Sequence, residues 1–301
     1  LKEAHMTVHS GELAVQRRAG ARVENWGTAH VGADIPPVGA DFLRAQRFVV
    51  LGVADDEGLV WADLITGPER FVDPADERTV VIDQEPRFTG PLLDRERMAG
   101  MIAIEPWTRR RMRLNGRVGR ERGRLVLRTD QVYANCPKYI QTRRITGEEG
   151  DPGPVGTAEA LDGEQRELIG RADTFFVATQ APGLGADVSH RGGNPGFVSV
   201  GADGTLSWPD YIGNSMFMTL GNLELDARCG LLFVDWDRGG TLHLSGRARV
   251  DWDAGRAAGV PGARRMVDFS VERVRWVRNG MPLRWAFGEY HRFNPPVGRN
   301  G

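Results

Sequence analysis

A mainly β chain with peripheral helices, folded as two tandem copies of one small barrel, is the architecture this sequence predicts, on three observations. Short runs rich in Val, Ile, Phe and Trp recur between Gly, Pro and Asp, the pattern of strands and tight turns. The second half repeats the first: Phe48-Val-Val-Leu-Gly-Val-Ala lies opposite Phe175-Phe-Val-Ala-Thr-Gln-Ala and Pro68 opposite Pro195 at an offset of 127, and Leu114-Asn-Gly-Arg117 lies opposite Leu244-Ser-Gly-Arg247 at 130. Between the copies, Gly147 to Gly156 has no periodicity and is rich in Gly, Pro and acid, which marks a linker.

In chain order, residues 1–39 read as a helical extension, 40–146 as the first barrel, 147–156 as the linker, 157–294 as the second barrel and 295–301 as a loose tail. Strands are expected at Phe48 to Val53, Leu59 to Ile65, Thr79 to Ile82, Met101 to Pro106, Arg111 to Val118 and Arg124 to Tyr133. Their second-copy counterparts are Phe175 to Thr179, Ala186 to Ser189, Phe197 to Val200, Leu231 to Asp235 and Thr241 to Trp252. Helices are expected at Glu12 to Arg18, Phe42 to Gln46, Arg95 to Gly100 and Gln165 to Arg171, the last with Asp162 as N-cap and Gln165 three residues on. Trp107 and Trp236, at an offset of 129, read as shared core.

Composition excludes several function classes. A formal net charge of -1, from 39 basic and 40 acidic residues, gives no global field toward nucleic acid or anionic lipid. The nine arginines between Arg109 and Arg128 alternate with apolar residues as on the outside of a hairpin, so no nucleic-acid partner is expected. Apolar runs such as Phe48 to Val53 fall far short of the roughly 20 residues of a membrane helix. Leu1 to Gly11 has no apolar block before a cleavage site, and two cysteines, Cys136 and Cys229, are too few for a disulfide framework, so a cytoplasmic setting is expected. Asp187, Ser189 and His190 lie too close on one strand for a nucleophilic triad. His5 and His9 are four apart near the chain start, and no metal is expected there.

Chemistry is sought where the copies differ. Opposite Asp63-Leu-Ile-Thr66 stands His190-Arg-Gly-Gly193, whose cationic donors and glycine backbone suit a phosphate; a polar turn with a solvated Arg191 has the same composition. Tyr133-Ala-Asn-Cys-Pro-Lys-Tyr-Ile-Gln-Thr-Arg143 is unmatched in the second copy. Its residue types suit a planar aromatic ligand bearing a phosphate, with Tyr139 against the ring, Gln141 on its edge, and Lys138 and Arg143 for charge, or equally a strand exit with snorkelling side chains. In Trp208-Pro-Asp-Tyr-Ile-Gly-Asn-Ser-Met-Phe-Met-Thr-Leu-Gly-Asn222, Asn214, Ser215, Thr219 and Asn222 offer neutral donors, or close turns, among Met216, Phe217, Met218 and Leu220 that read as core. Together these point to one composite site between the barrels.

Asn135-Cys-Pro-Lys-Tyr-Ile-Gln141, Ser189-His-Arg-Gly-Gly-Asn-Pro-Gly-Phe-Val198 and Trp208-Pro-Asp-Tyr-Ile-Gly-Asn214 carry a resemblance to the pyridoxamine 5'-phosphate oxidase-like family of FMN-binding split barrels, in its tandem double-barrel branch, over most of residues 40–290. The resemblance implies six-stranded split barrels forming an intrachain pseudodimer, with FMN at the barrel–barrel interface. It places Ser189, His190, Arg191 and Gly192 on the family's second-strand flavin segment and Asn214 to Asn222 on the segment that follows, and lets Arg111 and Arg113 reach toward the phosphate. The Ser-Arg-Lys phosphate run of true pyridoxamine phosphate oxidases is absent, with Ser215-Met-Phe in its neighbourhood, so that substrate is not expected.

The expectation is an FMN-dependent oxidoreductase acting on a small molecule, with one flavin per chain. In it Arg191 and Lys138 neutralise phosphate, His190 and Gln141 bond the ring or ribityl chain, and Tyr139 packs the ring. The sequence has no dinucleotide glycine fingerprint, so a separate reductase is the expected electron donor, and a homodimer is left open. The rivals are a non-catalytic carrier of FMN, or of haem with His190 as axial ligand, and a pseudodimer without cofactor.

Overall fold

The computed structural model describes residues 8–21, 32–134 and 136–298. His5, Asn135 and the tail residues 299–301 lie outside these. Two helices, α1 (Ser10–Arg18) and α2 (Pro37–Arg44), precede the first sheet, formed by β1 (Phe48–Ala54), β2 (Val60–Thr66), β3 (Val72–Pro74), β4 (Thr79–Ile82), β5 (Arg97–Glu105), β6 (Arg110–Glu121) and β7 (Arg124–Ala134). Then come β8 (Arg143–Glu148), β9 (Val155–Ala158), α3 (Gly163–Arg171), β10 (Thr174–Ala181), β11 (Gly185–Gly192), β12 (Ser199–Val200), β13 (Leu206–Tyr211) and α4 (Met218–Leu225). The chain closes with β14 (Arg228–Val234), β15 (Thr241–Asp251), α5 (Ala254–Ala258), β16 (Ala263–Val277) and β17 (Leu283–Phe287). No helix among the described residues is long and apolar enough to cross a membrane.

The chain is mainly β, a tandem pair of split barrels. The first sheet runs β2-β1-β5-β6-β7-β4-β3 and the second β11-β10-β14-β15-β16-β13-β12, one order written twice, all antiparallel. The short end strands β3 and β12 make seven strands on each path rather than six, and β9 adds an eighth to the second sheet through β16. In each copy, residues from all along the sheet meet in one buried cluster, around Val49, Leu51, Met101, Leu114 and Leu127 in the first and Phe175, Val177, Leu231, Leu244 and Phe269 in the second. A flat sheet could not gather them, so each is rolled around its own core. A third cluster joins the barrels: Val50, Ala62 and Ile102 meet Phe176, Ala178, Val188 and Leu232. Gly100 and Gly230 hold matching places in it. A Cβ on Gly100 would lie 2.6 Å from the Asp187 backbone, and one on Gly230 2.5 Å from the Val60 carbonyl oxygen.

The repeat is in register at 126, not 127, in its first two strands. Val50 pairs with Ile102 and Ile102 with Arg113; Phe176 pairs with Leu232 and Leu232 with His243. The β-bulges at Asn115/Gly116 and Ser245/Gly246 anchor the later strands at 130, so Val50 corresponds to Phe176 and Phe48 to Thr174. One residue matters because side chains alternate: the 127 alignment would put the barrel-core residue Phe175 opposite Phe48, which faces the other barrel.

Several expected elements differ. Arg95 to Gly100 is not a helix; Gly90–Asp94 is a short 3₁₀ turn, and Arg97 begins β5, whose run Ala99 to Ile104 is buried against both the barrel core and the partner barrel. The second helix is shifted N-terminally to Pro37–Arg44, with Pro37 at its first position. Phe197 and Val198 precede β12 as buried turn residues. Strands β3, β8, β9, β13, β16 and β17 fall on segments not read as strands. β8 and β9 take up both ends of the expected linker, and β8 pairs with β17 from the far end of the chain. Trp107 is 49% exposed and not core. The expected cap of α3 is present as a full capping box between Asp162 and Gln165.

Candidate functional site

A cleft enclosing a cavity of about 150 Å³ opens where the barrels meet. The first barrel supplies Arg111 and Arg113 from β6, Tyr133 from β7, and Cys136, Lys138 and Tyr139 from the turn beyond it. The second supplies Ser189 to Gly192 from β11, Asp210 and Tyr211 from β13, and the turn Gly213 to Phe217 leading into α4. Of the residues singled out in the sequence, Lys138, Tyr139, Ser189, His190, Arg191, Gly192, Asn214, Ser215 and Thr219 line this one cleft; Gln141 and Asn222 do not.

At the cleft floor a polar network spans the two barrels. The Asp187 carboxylate accepts from Arg113 at 3.2 Å, from Tyr133 Oη at 2.9 Å and from Thr219 Oγ1 at 3.0 Å. Thr219 has one proton, given to the carboxylate, so its 2.9 Å contact with Ser189 Oγ is a bond it accepts. Burial opposes the Arg113 charge, but Asp187 and Tyr133 outweigh it and hold the guanidinium above its ordinary value. The Arg113 charge is therefore balanced within the protein by Asp187, although its Nε meets no acceptor, and the phosphate role expected of it does not fit.

Arg111 and Arg191 differ. Arg111 donates to His190 Nδ1 at 3.0 Å and to the Cys136 carbonyl at 2.9 Å; Arg191 donates to the His190 carbonyl at 3.2 Å. Among the described residues neither has an ion-pair partner, whereas Arg113 has Asp187, and Arg265 lies 3.4 Å from Asp210 without an aligned hydrogen bond. Burial, then Arg113 and Arg191, pushes Arg111 down to about 9, and burial lowers Arg191 as well. Asp210 and Asp187 act against that lowering at Arg191, whereas Arg111 has no carboxylate acting on it; desolvated cations outside an ion pair attract an anion. His190 is held well below 6.5 by burial and by these arginines, hence neutral. Since Arg111 donates to its Nδ1, its proton is on Nε2, which is buried and meets no acceptor.

The start of α4 faces the same cleft through Met218, Thr219 and Leu220, and no side chain caps it. Its free N–H groups and the positive end of the helix dipole favour an anion at the place where the arginines already do. Three of the seven non-glycine residues with positive φ among the described residues, Tyr139, Ser215 and Phe217, line this cleft. Each such turn costs of the order of 1–3 kcal/mol and is kept where the surroundings hold it. Tyr139 donates its Oη proton to the Ile212 carbonyl at 3.1 Å and tilts against Tyr211, ring centroids 5.2 Å apart. Lys138 reaches the rim, its Nζ 5.9 Å from the Phe293 ring.

The remaining expected residues serve structure. Gln141 is 1% exposed and saturated, donating to the carbonyls of Tyr139 and Gly193 and accepting from His291 N and Asn294 Nδ2. It ties the C-terminal segment down beside the cleft and touches no ligand space. Asn222 sits behind α4, donating to Thr179 Oγ1 and bonded to His9 Nε2. Asn214 closes its own turn by accepting from Met216 N at 3.2 Å. Gly192 is needed because a side chain would strike the Tyr139 carbonyl, so its smoothness serves packing rather than a ligand. Arg143 is buried in a 2.6 Å pair with Asp173 below the Trp236 ring, away from the cleft. Asp210 and Tyr211 were passed over; their signal was the Trp-Pro-Asp-Tyr run, which pairing with β16 makes a strand, while Phe217, expected as core, lines the cleft.

No family model and no curated protein matches the sequence. Solved structures to which it is similar include HupZ of Group A Streptococcus, with TM-score 0.30 and 20% identity over 38% of this chain and 91% of that one. A FAD-binding protein of Mesorhizobium loti gives TM-score 0.30 and 12% identity over 41% and 96%. A protein of Clostridium acetobutylicum related to general stress protein 26, of the pyridoxinephosphate oxidase family, gives TM-score 0.27 and 16% identity over 42% and 92%.

Proposed function

We propose that the chain is a flavoprotein holding one FMN in the cleft between its barrels and working as an oxidoreductase. The observation that carries this is the pair of desolvated arginines, Arg111 and Arg191, neither in an ion pair among the described residues, beside the uncapped start of α4. These residues fit a phosphate: Arg191, Arg111 and the first N–H groups of α4 would hold it, with Lys138 adding charge at the rim. Tyr139, Tyr211 and Phe217 supply aromatic faces for a planar ring. Bound FMN supplies one- and two-electron transfer at its ring. The chain's own part is to hold the phosphate, order the ring and exclude water. Asp187, its acceptors filled, is not free to take a proton from substrate, and His190 acts as a neutral acceptor that fixes Arg111. Electrons are supplied by a separate donor.

The haem alternative finds no support in His190, whose Nδ1 is taken by Arg111 and whose Nε2 is enclosed, leaving neither nitrogen for an iron. A titration of protein fluorescence with FMN and with riboflavin tests the phosphate assignment. FMN is expected to bind about tenfold to a hundredfold more tightly, the worth of one or two charge-assisted contacts, and Arg191→Gln to erase most of the difference. Equal affinity for the two flavins, or none for either, contradicts the reading.

A further inference from the structure

The open cleft has a counterpart on the other side of the pseudodimer. Carried through the strand pairings, Arg111, Arg113, Ser189, Arg191 and Tyr133 correspond to Thr241, His243, Asp63, Ile65 and Arg275. The positive balance is lost: three arginines become threonine, histidine and isoleucine, a serine becomes an aspartate and a tyrosine becomes an arginine, while Asp187 becomes Trp61. The turn Gly90–Asp94, between β4 and β5, takes the place that α4 holds between β13 and β14. At its start the buried Asp63 carboxylate accepts from the backbone N–H of Phe88 at 2.7 Å, from that of Thr89 at 2.9 Å and from Thr89 Oγ1 at 3.1 Å. The Phe88 ring packs 4.6 Å from His243, and Arg275 covers both Phe88 and Trp61. His243 is bonded at both nitrogens, to the Ala62 carbonyl and to Thr241 Oγ1. Where the start of α4 and Arg111 in the open cleft meet no carboxylate of the chain, the counterpart has its donors filled from within by Asp63, whose charge also favours the nearby Arg275 cation.

We propose that this counterpart is an oxyanion site closed by the chain itself, the Asp63 carboxylate holding the position that the ligand's anionic group takes in the open cleft. The comparison rests on reading the open cleft as an anion site. Removing the plug exposes the site: Asp63→Gly leaves three inward donors around a carboxylate-sized hole, which acetate or inorganic phosphate can fill.

Thermal unfolding of wild type and Asp63→Gly in acetate or phosphate, against chloride at equal ionic strength, tests this. The open cleft takes anions in both proteins, so the reading is the difference between them. The variant is expected to unfold roughly 5 °C lower in chloride and to regain about half of that or more in the oxyanions, beyond any gain by the wild type. Equal gains in both proteins overturn the proposal. Should Asp63→Gly not fold, Asp63→Asn keeps the shape without the charge; it is expected to unfold below the wild type with no differential gain from acetate, and an undiminished unfolding temperature overturns the proposal. No flavin enters these measurements, so a wild type that binds no FMN would sink the reading of the open cleft while leaving this result standing.

Discussion

Arg111 carries the largest unbalanced cost in the molecule's open cleft. Its guanidinium is desolvated, pushed down to about 9, and answered only by a neutral imidazole and a carbonyl. Replacing it with a similar-sized apolar side chain removes that cost, so Arg111→Met is expected to stabilise the ligand-free protein by about 1–3 kcal/mol while weakening FMN binding at least about tenfold. Urea unfolding with and without FMN reads both signs at once; a variant less stable without ligand contradicts the account. His190 gives a pH dependence. Unfolded, it takes a proton near 6.5; folded, its burial among arginines refuses one. The unfolded state therefore binds more protons below 6.5, and the stability His190 contributes is lost as pH falls through that value, at up to about 1.4 kcal/mol per pH unit. His190→Gln is expected to flatten the pH–stability curve between 6.5 and 5, and an unchanged slope counts against a neutral His190.

The packing of α1 on α4 is the element that positions the anion-binding helix start. A Cβ on Gly11 would strike the Gly221 carbonyl, and one on Gly221 would lie 2.6 Å from the Glu12 backbone nitrogen, so the helices cross at a contact only glycine permits. Gly221→Ala is expected to lift α1 away, cost about 1–3 kcal/mol and weaken FMN binding through the displaced start of α4; limited proteolysis near Ala19 to Ala21 and a flavin titration check it. Glu12 is buried in the same contact, and burial with nearby Asp187 raises it to about 7. Folding therefore favours its protonated form, and the stability it contributes below about 4.5 is lost as pH rises through 7. Glu12→Gln is expected to stabilise by about 2 kcal/mol at pH 8 and by little at pH 5 in denaturant titrations. Much at this scale was legible in the sequence. The capping box of α3 and the strands β1, β2, β6, β7, β10 and β15 follow from alternation and punctuation. The second half of β5 was legible from Met101 on, but its first half, read as a helix, was not, because a strand buried on both faces loses its alternation. β13 and β16 escaped because the Pro in Trp-Pro-Asp-Tyr and the charges along Ala263–Val277 suit strands only once long-range pairing is known.

Across the whole molecule, one strand order used twice yields two unlike interface regions, one an open cleft with three arginines in its lining and the other closed over the Asp63 carboxylate. The gathering of Lys138 with His190, far apart in the sequence, could be read from the unmatched segments of the repeat. What could not be read was the division of labour within them. Whether Gln141 faces a ligand or a strap depends on where residues 291–294 return, and Arg113 is spent on Asp187 only because β6 and β11 meet across the barrels. A one-residue error in the repeat also hid the correspondence of Asp63 with Ser189, the substitution by which one cleft stays open and the other is filled.

The most direct test is the FMN content per chain, read from the visible absorbance of protein saturated with FMN, freed of excess and then denatured. One FMN per chain, falling to near zero in the Arg111→Gln/Arg191→Gln double variant, is the predicted result. Two per chain, or a protein that stays colourless after incubation with FMN, would contradict a single open site built on unlike halves.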